Sequence, residues 1–319
     1  MHLCRRLLCL FALLPLAALP ACASEAVLLH PQRPDQTKIG ALLWRGGIAL
    51  DFPDAGGRFG GLSALEVKAD GSEALVLSDR GLWFRLRLDY DEKGSLASAE
   101  LADEGSLMGL DGKALSGVNA DAEGLTQLAD GSYVVSFEQR HRLLRYPPGE
   151  PPFARTPALV PPPPGIEAAP ANEGIEAVAF LPDGRMVAFA EGLRATAQMG
   201  YAWLGDGQNW TPMSWTRTRS YVPVGAAALP DGDLLVLERR FDLGGLASRL
   251  SRVEARTLRR GAPIAGTELA RLEPPYISNN FEGVAVRRGP RGQSLVYIVS
   301  DDNFAPTLRT LLVMFEIVE

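Results

Sequence analysis

The sequence predicts an all-β chain closed into a β-propeller, and three observations carry that expectation. A short hairpin unit recurs five times, its turn is an Asp-Gly pair or a Gly-rich stretch, and the flanking runs are rich in Val, Leu and aromatics. Composition agrees: 319 residues that are 46% hydrophobic and 22% charged can bury a large core, and 33 glycines with 24 prolines favour turns over long helices.

Each copy opens on a Gly followed by a small or apolar residue, turns, and ends on an acid. The first runs from Gly61-Leu62-Ser63 through Asp70-Gly71 to Ser78-Asp79, and the second from Glu123-Gly124-Leu125 through Asp130-Gly131 to Phe137-Glu138. The third goes from Glu173-Gly174-Ile175 through Asp183-Gly184 to Ala190-Glu191, and the fourth from Val224-Gly225 through Asp231-Gly232 to Leu237-Glu238. The fifth begins at Glu282-Gly283-Val284, loops through Gly289 to Gly292 and ends at Ser300-Asp301. The leading glycines are spaced by 63, 50, 51 and 58 residues, the range of propeller blades. Further strands, such as Leu82 to Leu88 and Arg142 to Tyr146, fit between copies and bring each unit to about four strands. Two β-like stretches remain, Ile39 to Phe52 and Leu311 to Val318; shared in one more blade, they close the ring at six and leave no free sheet edge. The Pro-rich stretch from Pro147 to Pro170 reads as a surface loop between the second and third units.

Residues 1–23 follow different rules. Arg5 and Arg6 precede an apolar run from Leu7 to Leu19 and the small residues Ala21, Cys22 and Ala23, the shape of a secretory signal whose apolar run is too short for an ordinary membrane span. Cleavage after Ala23 fits the small-x-small rule and leaves one domain over residues 24–319. Leu19-Pro20-Ala21-Cys22 is an imperfect lipobox, and its use would instead leave Cys22 as a lipid anchor. The expected location is periplasmic or secreted, with a lipoprotein as the variant. Cys4, Cys9 and Cys22 all lie in or beside this segment, which excludes disulfides, cysteine nucleophiles and Cys-zinc sites from the mature body. Loss of Arg5 and Arg6 takes the net charge from -6 to -8, which argues against nucleic acid and anionic membranes as partners.

The acids occupy repeated positions, and antiparallel pairing gives those positions meaning. The first residue of one strand lies opposite the last of the next, so Glu123 is expected near Glu138, Glu173 near Glu191 and Glu282 near Asp301, with Asp79 and Glu238 closing the other copies. If the leading strands line the axis, these carboxylates form a ring at one mouth. Carboxylates forced together raise one another's pKa unless cations sit among them. Oxygen ligands without Cys and with almost no His select hard ions, Ca²⁺ first and Mg²⁺ next. Arg80, Arg140, Arg239 and Arg240 accompany the ring and suit a small anionic substrate such as a phosphate ester. Other chemistries find no support. There is no Gly-x-Ser-x-Gly elbow, Walker loop or dinucleotide fingerprint, and the mature chain has only His30 and His141, the latter expected at the surface.

Arg58-Phe59-Gly60-Gly61-Leu62-Ser63, Ser78-Asp79-Arg80-Gly81, Asp121-Ala122-Glu123-Gly124-Leu125, Asn172-Glu173-Gly174-Ile175-Glu176, Leu237-Glu238-Arg239 and Asn280-Phe281-Glu282-Gly283 with Ser300-Asp301-Asp302-Asn303-Phe304 resemble the phytase-like family of exported proteins with esterase activity. The resemblance runs in order over most of residues 40–319. It implies a propeller related to alkaline phytases, in which calcium held by carboxylates binds phosphate and activates water against a phosphomonoester. On that pattern Asp79, Glu123, Glu173, Glu176, Glu282, Asp301 and Asp302 would hold metal, Glu138 or Glu238 would orient water, and Arg80, Arg140 and Arg239 would bind the anion. The hairpin also resembles calcium-dependent lactonases of the gluconolactonase type, six-bladed and with a single metal. A propeller of the cell envelope that keeps its acids for calcium-stabilised folding and binding, without catalysis, is the third class. A closed ring needs no second copy to cover its edges, so a monomer is expected.

Overall fold

The turns set the hairpins. Asp70, Asp130, Asp183 and Asp231 each accept the backbone N–H two residues on, at 2.9, 3.1, 3.1 and 3.1 Å, and the following glycine takes positive φ at 71, 131, 184 and 232. From these turns the alternating apolar runs pair as antiparallel strands. The structure is a computed structural model that describes residues 24–218, 220–259 and 263–318. The expected export signal over residues 1–23, with Cys22, lies outside the described residues.

The strands form five sheets, the blades of an all-β propeller. Blade one holds Leu62–Val67, Glu73–Ser78, Leu82–Tyr90 and Leu96–Ser106, and blade two holds Ala122–Gln127, Tyr133–Phe137, Arg142–Tyr146 and Ala158–Val160. Blade three holds Ile175–Phe180, Met186–Thr196, Met199–Gly205 and Trp210–Thr216, extended by Pro263–Ile264, which pairs in parallel with Ser214 and Trp215. Blade four holds Val222–Ala228, Leu234–Asp242, Gly245–Val253 and Thr267–Leu272. The first strand of each blade packs against the first strands of both neighbours, so five inner strands ring one axis.

The ring closes at five blades, not the six expected from counting. The fifth hairpin, Phe281–Arg288 and Ser294–Ser300, has no third strand of its own between residues 301 and 310. Leu311–Ile317 fills that place and pairs on its other side with Leu42–Leu50, so the fifth unit and the two chain ends form one blade instead of two. The Pro-rich stretch is also less plain than a loop, because Ala158–Val160 within it is the outer strand of blade two.

Apolar cores lie between neighbouring blades, one in each of the five clefts. Leu77, Trp83, Phe137 and Phe153 fill the cleft between blades one and two, Val134, Met186 and Trp203 that between two and three, and Phe189, Trp215 and Val236 that between three and four. Val224, Leu237, Phe281 and Phe315 join blades four and five, and Ile48, Phe84, Tyr297 and Leu312 join five to one. Each such side chain, taken fully out of water, contributes about 1.5–3 kcal/mol. Among the described residues no helix is long and apolar enough to cross a membrane.

Candidate active site at the mouth of the ring

Every inner strand carries one extra residue at the same place, just inside the start of its pairing with the second strand. The extra residues are Ser63, Glu123, Glu176, Val224 and Glu282. A bulge of this kind re-aims a side chain without ending the sheet. Ser63, Glu123, Glu176 and Val224 border a small axial cavity of about 10 Å³, room for about one water. The residue after the bulge must be small because the next inner strand is close. A Cβ on Gly124 would meet the Glu176 carbonyl oxygen at 2.8 Å, and one on Gly225 the Glu282 carbonyl at 2.6 Å. The glycine of the Glu-Gly motif is thus a packing device.

A second ring lies around the first. The residue just past the last pairing of the second strand with the inner strand donates its N–H to the carbonyl of the residue two before the bulge: Asp79 to Gly61 at 2.9 Å, Glu138 to Asp121 at 2.8 Å, Glu191 to Gly174 at 2.9 Å and Asp301 to Asn280 at 2.9 Å. In blade four the same pairing sets Arg239 opposite Val222. The outer ring is therefore Asp79, Glu138, Glu191, Arg239 and Asp301, four acids and one guanidinium.

These groups share one field. Burial, then the charges of Glu282, Glu138, Asp121 and Asp79, pushes the Glu123 carboxyl well above its usual range; burial, then Glu123, Glu191, Glu138 and Glu282, does the same to Glu176. Burial raises Glu138 to about 8, against the opposing hydrogen bond from the Gly174 N–H. Burial raises Asp301 to about 7, with Glu282 adding to it, and burial also raises Asp79, Asp121 and Glu282. Arg239 answers part of this charge. It donates to Glu191 at 2.8 Å, to the Asn280 side-chain oxygen at 2.8 Å and to Glu282. Burial alone would weaken its hold on a proton, but Glu282, Glu176 and Glu191 outweigh that and raise it.

On the opposite side of the ring, among the described residues, no guanidinium is prominent in the field of Asp121, Glu123 and Glu138. Asp121, Glu123 and Glu138 each offer a carboxylate oxygen within 4.8 Å of the others. All three offer oxygen, and burial makes their joint ionisation costly without a cation, which fits a hard divalent ion. Asp121 belongs to this group, although of the motif Asp121-Ala122-Glu123-Gly124 only Glu123 was expected to hold metal.

The remaining predicted residues divide by position. Glu173 lies in the turn before the inner strand, its carboxyl against Gly192, and Glu176 takes the bulge position instead. Glu238 sits one residue before the outer ring, wholly buried, and its carboxylate accepts from Arg249 at 2.6 and 2.7 Å and from Ser251 at 3.0 Å across the sheet. That pairing turns it into blade four, away from the mouth. Asp302 is occupied by its own loop, accepting from the N–H groups of Gly61 and Phe304, both at 3.0 Å, and from the Thr310 hydroxyl at 2.9 Å. Arg80 lies over the Phe304 ring at 3.2 Å from its centroid, and Arg140 is exposed beyond Glu138. His141 is part-buried, with Nε2 3.1 Å from the Pro170 carbonyl, and its Nδ1 borders Gly174.

No curated protein matches the chain. Among solved structures, an aldose sugar dehydrogenase from Streptomyces coelicolor in its PQQ-bound form is 15% identical with a TM-score of 0.45, covering 93% of this chain and 99% of that one. A protein thought to be a gluconolactonase is 13% identical with a TM-score of 0.46, covering 94% and 91%. Virginiamycin B lyase from Staphylococcus aureus is 10% identical with a TM-score of 0.43, covering 92% and 99%. The family described as "Esterase-like activity of phytase" matches residues 57–304, which span both rings from Gly61 to Asp301, and the chain belongs to this phytase-like family.

Proposed function

We propose that the chain is an exported, divalent-cation-dependent hydrolase of anionic esters, with phosphomonoesters as the substrate class and Ca²⁺ ahead of Mg²⁺ as the ion. The observation that carries this reading is the group Asp121, Glu123 and Glu138 facing Arg239 across one mouth. The three carboxylates would hold the cation. When bound, a hard divalent ion supplies Lewis acidity toward an ester oxygen. Arg239, already fixed by Glu191 and Asn280, presents positive charge to the anion without needing to reorganise. Glu176, whose carboxyl burial and the neighbouring acids push well above its usual range, would be the proton donor to the leaving oxygen. No second copy is needed to cover a sheet edge, so the working unit is a monomer.

The test is phosphate release from p-nitrophenyl phosphate and inositol phosphates after chelator treatment and again with Ca²⁺, beside hydrolysis of a sugar lactone. Calcium-restored phosphate release that Glu123→Gln abolishes supports the reading; its absence from both phosphate substrates overturns it. One observation favours lactonase as a second reading. Among the described residues only one group of three carboxylates is close enough to share an ion, a single-ion arrangement.

A further inference from the structure

Blade four differs from the others in what it raises above the mouth. Its second strand continues past Arg239 to Asp242 and turns back through Leu243 and Gly244, so that Phe241 pairs with Leu246. Alternation along a strand sets Phe241 on the same face as Arg239, about 6–7 Å further out. Phe241 is 78% exposed and Leu243 fully so, the two most exposed large apolar side chains among the described residues. Such exposure costs solubility and calls for a use when the side chains border a site.

They border one. A cavity of about 380 Å³ is lined by the polar side chains of Glu191, Arg239, Asn280, Ser220 and Asn303 and by the apolar ones of Phe241, Leu246, Leu308 and Val222. Glu191 and Arg239 belong to the outer ring, and Phe241 and Leu246 to the projecting hairpin. A polyhydroxylated, many-phosphate ligand would leave the apolar wall facing polar groups, whereas a ligand with one anion and one hydrocarbon group satisfies both ends.

From this cavity we infer that the substrate is an anionic ester carrying an aryl or alkyl group, which packs against Phe241 and Leu246 while its anion lies at Arg239. The inference rests on the proposed hydrolase for the anionic end alone. The apolar end stands on the cavity itself.

The experiment reads binding first, so that it does not depend on turnover. Calorimetric titration in Ca²⁺ compares phenylphosphonate with methylphosphonate, and the aryl ligand is expected to bind at least about tenfold tighter, about 1.4 kcal/mol. Phe241→Ser is expected to shrink that ratio to about two or three, while Leu159→Ser, an exposed leucine on the outer strand of blade two, keeps it. Because Phe241 is solvent-facing, its replacement leaves the fold intact. Hydrolysis of ethyl and hexyl phosphate then separates the two claims. A preserved binding ratio without hydrolysis of either ester keeps this inference and removes the phosphomonoesterase reading. Equal binding of the two phosphonates, or a ratio that Phe241→Ser does not change, overturns the inference even if every ester is hydrolysed.

Discussion

Arg239 stands where the other four blades carry an acid, and its guanidinium reaches Glu191, Glu282 and Asn280 at once. Arg239→Gln leaves two largely buried carboxylates without their counter-charge, and breaking such a pair is expected to cost about 3 kcal/mol, read as a lower urea midpoint at neutral pH. A smaller change tests the packing of the inner strands. Gly124→Ala drives a methyl group to 2.8 Å from the Glu176 carbonyl and 2.6 Å from the Ser136 hydroxyl, both of which would have to give way. A loss of about 1–3 kcal/mol is expected from that overpacking, measured in the same denaturation. Far from the mouth, Glu66 at the other end of the first inner strand accepts the Gln127 N–H at 3.0 Å, and burial raises its carboxyl from 4.5 to about 7. Its folded-state pKa lies above the unfolded value, so its contribution is complete below about pH 4.5 and is lost as pH rises through about 7. Glu66→Gln is therefore expected to flatten the decline of melting temperature over that interval.

At the level of strands, the five hairpins were legible because Asp-Gly turns and apolar alternation are local signals. What the leading glycine concealed is the bulge. Counted back from the turn glycines 71, 131, 184 and 232, the eighth residue is Ser63, Glu123, Glu176 and Val224, the bulge set itself. Counted forward from 131, 184 and 232, the seventh is Glu138, Glu191 and Arg239, which puts Arg239 and not Glu238 on the outer ring. Strands keep step from their turn, whereas the segment before a first strand varies in length; anchoring on Gly61 and Gly174 therefore shifted two copies by three residues. Asp121 was passed over because the bulge at Glu123 shifts the pairing by one residue, so that Glu138 bonds to Asp121 and not to the residue counted opposite it. The blade count was miscounted because strand order in the last sheet depends on the chain ends. Removing residues 311–318 should therefore unseat Leu42–Leu50 as well as Ser294–Ser300, with loss of the single cooperative transition in circular dichroism on heating.

For the molecule as a whole, the mouth concentrates the cost of an acidic chain with net charge -6 on one small area. A cation binding the folded ring and not the unfolded chain stabilises by about 2.7 kcal/mol at a hundred times its dissociation constant. In a propeller of this size that corresponds to a rise in melting temperature of roughly 5 °C on adding Ca²⁺ to chelator-treated protein. Glu123→Gln should abolish most of that rise, and a scanning-calorimetry trace indifferent to calcium in the unmutated protein would count against the ion site.

Among the described residues, the strand that completes the last blade follows every other strand in the chain. Until residues 311–317 leave the ribosome, a gap one strand wide remains between Ser294–Ser300 and Leu42–Leu50, two apolar borders made more than two hundred residues apart. Leu42–Leu50 thus stays unpaired on that side while the other four blades are made, and the waiting border is the place where a holdase chaperone would find the most to grip.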